Sequence, residues 1–158
     1  MAYQNFNMDH QWLPFTPNRS FKNDPRVFVA ADGMEFTTHD GKKVIDGISS
    51  LWCVTAGHNR KPINEAIKKQ LDTLDYATAF QASNDQAFIA SEMIADMAPG
   101  DLNKVLFCSS GSEAADTSLK VALAYHRARG EGHRNMFIGR ERGYHGVGFG
   151  GMSVGGIP

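Results

Sequence analysis

Between Val105 and His126 the chain reads VLFCSSGSEAADTSLKVALAYH. A short apolar run stops at Ser109-Ser110-Gly111-Ser112, and a strongly helical stretch starts at once. An apolar run of this length fits a strand buried on both faces, here KVLFC. The spacing predicts a helix over 112–129 and a second strand in NMFIG, residues 135–139. Strand, helix and strand in this order form a βαβ unit, which requires a parallel sheet covered by helices. The expected fold class is therefore α/β.

The loop after the first strand of such a unit opens at the carboxyl edge of the sheet, where ligands bind. The helix that follows presents unpaired N–H groups and the positive end of its dipole. Gly111 lets backbone approach an anion, while Ser110 and Ser112 add hydroxyls, so the turn has the parts of a phosphate cup. Ser110 with Glu113 also has capping-box spacing, and a capped helix needs no ligand. The two uses are compatible. The lysine of a P-loop is missing, which disfavours a nucleoside triphosphate.

Upstream, residues 1–24 read as an irregular arm punctuated by proline, with at most a turn of helix. RVFVAADGMEFTTHDGKKVIDG reads as a small β-meander turning at Asp32-Gly33 and Asp40-Gly41. A helix capped by Asn59, with Pro62 in its first turn, is predicted through Leu74. A second is predicted to open at Ser83 and Gln86 and to stop at Pro99-Gly100, its Phe88, Ile94 and Met97 stripe serving as core. This gives two parts, 1–58 with the arm and meander, and 59–158 with the start of an α/β domain.

Sixteen basic against seventeen acidic residues leave a formal charge of -1, so neither nucleic acid nor an anionic membrane is expected as a partner. The start MAYQNFNMDHQWLPF has no basic stretch followed by an apolar one, so it is not expected to act as a secretory signal, and no apolar run approaches membrane length. Cys53 and Cys108 lack zinc or disulfide spacing and are read as buried thiols of a reducing compartment, with the cytoplasm as expected location.

The tail RERGYHGVGFGGMSVGGIP satisfies G-x-G-x-x-G, yet no amphipathic helix follows it. Its glycines suit a loop that passes close to other groups, and Tyr144 and His145 ride on that loop. Trp52, beside Ser49 and Ser50, is either a core tryptophan, which its residues alone favour, or a pocket wall.

LPFTPNR at 13–19, DGISSLWCVTAGH at 46–58, FCSSGSEAADTSLKVALAYHRARGEG at 107–132 and GRERGYHGVGFGGMSVGG at 139–156 together resemble the class III aminotransferases. The nearest likeness is to the omega-amino acid, or beta-alanine, to pyruvate branch. The resemblance implies the fold-type I architecture of pyridoxal-phosphate enzymes. An arm and meander from the small domain would precede the start of a large parallel or mixed sheet with flanking helices. It implies that Ser110, Gly111 and Ser112 hold the phosphate of pyridoxal phosphate. Tyr144 would pack on the pyridine ring, and His145 would support the loop. Trp52, Phe15 and Phe80 would line the amine pocket, Phe80 reaching the neighbouring subunit's site in a homodimer. The implied substrates are an amine or omega-amino acid and a keto acid such as pyruvate. Biotin-pathway and diamine aminotransferases share these motifs.

The family's Schiff-base lysine has no counterpart here. None of Lys42, Lys43, Lys61, Lys68, Lys69, Lys104 or Lys120 lies in a matching segment, so no catalytic residue is assigned. The chain is expected to be the front portion of a longer protein, inactive by itself and prone to associate. A phosphate-ligand binding module and a docking partner of a full-length subunit are the alternatives outside enzymology.

Overall fold

The computed structural model describes residues 7–157. The chain divides into two compact units, Met1–Ala82 and Ser83–Pro158. The first six residues of the predicted arm lie outside the described part.

In the first unit, one asparagine organises the proline-rich arm. Asn18 accepts from the Leu13 N–H at 2.8 Å and donates to the carbonyls of Leu13 and Thr16 at 2.9 and 2.8 Å. It opens the short helix α1 (Asn18–Asn23). Then come β1 (Phe28–Asp32), β2 (Glu35–Thr38) and β3 (Lys43–Ile45), an antiparallel sheet in the order β1-β2-β3. The two predicted turns are there, with Gly33 at φ 56° and Gly41 at φ 85°, a region open to glycine at little steric cost. Phe28 and Phe36 stack at 4.2 Å on one face. The turn α2 (Ser49–Trp52) and the helix α3 (Lys61–Thr73) complete this unit.

The second unit holds α4 (Asp85–Met97), α5 (Gly111–Ala128) and the short α6 (Phe149–Ser153). Of three expectations about helix starts, two are overturned and one holds. Asn59 does not cap α3: its φ is 52° and its side chain donates to the Ala31 carbonyl, while Arg60 takes the cap position without a side-chain bond. At α4 the cap is Asn84, not Ser83, with Oδ1 accepting from the Ala87 N–H at 2.9 Å. Asparagine and serine cap about equally well, so a run of both leaves the boundary open by one residue. At α5 the cap is Ser110, as the capping box required.

The two predicted strands of the βαβ unit form no ladder. Residues 102–108 and 134–140 have no strand assignment, and the only sheet among the described residues is β1-β2-β3. A strand needs a neighbour to pair with, and neither run has one here. Leu106 is 70% and Ile138 94% exposed, so these runs present apolar surface that has no cover. The stripe on α4 is likewise not core: Phe88 is 68% and Met97 76% exposed, and no hydrophobic residue is fully buried among those described. Nor are the thiols buried, since Cys53 is exposed and Cys108 half-exposed.

Candidate functional site

The serine-glycine turn uses its hydroxyls in two ways. Ser110 Oγ accepts from the Glu113 N–H at 3.1 Å, and the Glu113 carboxylate accepts from the Ser109 N–H at 2.8 Å. The Ser110 hydroxyl is thus the N-cap of α5, while the Glu113 side chain reaches one residue beyond it, to Ser109 instead of to the cap's own N–H. Gly111 and Ser112, the first two residues of α5, carry N–H groups with no acceptor among the described residues. A Cβ placed on Gly111 would meet nothing within 4 Å, so the turn is open on that side. Ser112 Oγ accepts from the Val147 N–H at 3.0 Å and keeps its own hydrogen to donate. Two backbone donors, one hydroxyl and a positive dipole end remain. That donor set fits a phosphate dianion.

The glycine loop is fastened to the same helix. Gly146 is buried at φ 100°, and a Cβ there would stand 2.6 Å from the Ser112 Cα. Only glycine fits such an approach. Asp116, one turn after Ser112, accepts from the Gly150 N–H at 3.3 Å and the Gly151 N–H at 2.8 Å. A Cβ on Gly150 would touch Leu119 at 3.1 Å. Ser112, Asp116 and Leu119 share one face of α5, and that face docks the loop carrying Tyr144 and His145. Both of those side chains are exposed, with Tyr144 at 52%, and the His145 ring lies over Gly143. Asp116 was missed in the sequence. Its only signal was the four-residue spacing from Ser112.

In the first unit Trp52, Phe15 and Phe80 are 77%, 85% and 79% exposed. Trp52 closes α2, and α2 is unusual. Ser49, Ser50, Leu51 and Trp52 have φ of 48°, 50°, 58° and 71°, a single left-handed turn without glycine. Each such residue costs roughly 1–2 kcal/mol relative to the right-handed form. Asp46 lies against it, with Oδ1 accepting from the Ser50 N–H at 2.9 Å and Oδ2 from the Ser50 hydroxyl at 2.9 Å. His58 Nε2 is 2.8 Å from Oδ2. The Ser50 N–H first, then His58 and the Ser50 hydroxyl, lower the Asp46 carboxyl to about 2 against the opposing effect of burial. Among the described residues no group of three potential metal ligands exists.

A capped serine-glycine turn with a glycine loop clamped on it follows a meander and an aromatic turn along the chain, and comparison shows which class of protein carries this order. The chain matches the family Aminotransferase class-III over residues 17–157 and belongs to it. An omega-aminotransferase from Caulobacter vibrioides is 53% identical over 96% of this chain and 35% of its own length. A beta-alanine–pyruvate aminotransferase from Pseudomonas aeruginosa is 50% identical over 96% of this chain and 34% of its own. The chain thus spans about a third of the length of these relatives.

Among solved structures, an amine transaminase from an uncultivated Pseudomonas species in its PLP-bound form superposes with a TM-score of 0.85 at 36% identity, over 94% of this chain and 34% of that one. The adenosylmethionine-8-amino-7-oxononanoate aminotransferase of Methanocaldococcus jannaschii reaches a TM-score of 0.89 at 34% identity, over 93% and 34%. The backbone path is that of the fold-type I transaminases, with the small antiparallel sheet at its start.

Proposed function

We propose that this chain carries the cofactor-phosphate turn and the amine-pocket aromatics of a transaminase that moves an amino group from an omega-amino acid or amine to pyruvate. The observation that carries the proposal is the turn at Ser110–Ser112. The Ser110 hydroxyl caps the helix, yet two N–H groups and a hydroxyl hydrogen remain for an anion. The identities favour the omega branch, at 53% and 50%, over the oxononanoate branch, at 36% and 37%.

Pyridoxal phosphate, when bound, supplies the aldehyde that takes the amine and the ring that draws off electrons. Gly111 and Ser112 hold the phosphate. Gly146 and Asp116 keep the Tyr144–His145 loop on α5, so that the Tyr144 ring can lie on the cofactor's. Trp52, Phe15 and Phe80 offer apolar surface to the donor amine. The proton-moving lysine is assigned to no residue among the 158. The domain division at 58/59, a homodimer in which Phe80 serves the neighbouring subunit, and a cytoplasmic location belong to the same proposal.

A chimera tests it. Residues 1–158 replace the matching third of the Caulobacter vibrioides relative, and alanine formation from pyruvate is followed with beta-alanine, an aryl amine and a diamine as donors. Turnover with the first two is expected. A folded chimera that binds pyridoxal phosphate without turnover would favour a binding remnant instead.

A further inference from the structure

The sequence of α2 does not favour its conformation. Ser49, Ser50, Leu51 and Trp52 all sit at positive φ, and none is glycine. Something outside the four residues must hold them there. Asp46 makes that contact, accepting the Ser50 N–H and hydroxyl at 2.9 Å each and the Ile48 N–H at 3.4 Å. Its side chain is only 5% exposed. An ionised carboxylate can only accept, so the His58 Nε2 at 2.8 Å is the donor. His58 is itself fixed to the meander. Its N–H donates to the Gly33 carbonyl at 2.7 Å, its carbonyl accepts from the Gly33 N–H at 3.2 Å, and its ring lies 4.5 Å from that of Phe36.

We propose that Asp46, backed by His58, is the positioning residue for Trp52: it holds α2 left-handed and so sets the direction in which the indole is offered to the donor amine. The last clause rests on the proposed role of Trp52 as pocket wall; the hold on α2 does not.

The test uses the full chain with Trp12→Phe, leaving Trp52 as the sole indole. Chymotryptic cleavage of the Trp52–Cys53 bond is measured against cleavage after Tyr76 and Phe80 in the same digest. Asp46→Ala is expected to raise that ratio about tenfold, because cleavage follows the population of the opened turn. Adding Leu51→Gly is expected to restore most of the protection, since glycine takes positive φ without steric cost. An unchanged ratio overturns the proposal. So does a rise shared equally by all three sites and not reversed by the glycine.

Quenching of Trp52 fluorescence by an aryl amine reads the second half. It is expected in the parent, lost in Asp46→Ala and regained in the double variant. A protected turn with no quenching in the parent overturns the pocket-wall role of Trp52 and leaves the hold of Asp46 on α2 intact.

Discussion

Asp46 and Asp40 both ionise well below the usual carboxylate range, for different reasons. Asp46 is lowered to about 2 chiefly by the Ser50 N–H, and Asp40 to about 2 chiefly by Lys42 at 2.7 Å and then by the Thr38 hydroxyl. A carboxyl lowered in the folded state stabilises fully above its unfolded pKa, about 4, and loses that contribution as pH falls through the folded value. Unfolding midpoints should therefore drop between pH 4 and 2, and Asp46→Asn should flatten the drop. A pH profile of urea unfolding for parent and variant checks this.

Gly146 gives a second residue-scale expectation. Alanine there meets both the positive φ and the Ser112 backbone, for a loss of roughly 1–3 kcal/mol. Gly100→Ala, at φ 64° with nothing within 4 Å, bears the conformational cost alone and should lose less by urea unfolding. The glycine loop's close approach was legible from its composition, but the helix face it approaches was not. Asp116 and Asp46 are ordinary acids in the sequence, and only folding brings N–H groups to them.

At the scale of elements, what was legible follows from how local each signal is. The meander turns and the Ser110–Glu113 cap depend on residues within four positions, and both formed. Asn84 against Ser83 was a choice between equal cap formers. Asn84→Ala should cost about 1 kcal/mol and raise amide exchange in the first turn of α4, while Ser83→Ala should leave it unchanged. The KVLFC and NMFIG runs have the apolar character of buried strands. Strandhood depends on a partner, and no pattern within a run reports whether its partner lies in the same 158 residues.

The whole molecule shows this lack of partners in its surface. The accessible area is 13811 Å². A folded monomer of 17.3 kDa exposes about 7,800 Å², and two separate folded halves about 9,400 Å². Exposed apolar side chains such as Leu106, Phe88 and Met97 contribute to that area. The isolated chain should bind a hydrophobic dye strongly and elute in light scattering as more than a monomer. A monodisperse, dye-silent monomer would show that the chain covers these faces by itself.

The most direct measurement on the serine-glycine turn compares pyridoxal phosphate with pyridoxal, which lacks the phosphate, as ligands of the chimera. Two N–H groups and the Ser112 hydroxyl on a dianion should favour the phosphate ester by at least about a hundredfold, and Ser112→Ala should narrow that ratio. Equal affinity for the two ligands, or a ratio that Ser112→Ala leaves untouched, would contradict the assignment of this turn to the cofactor.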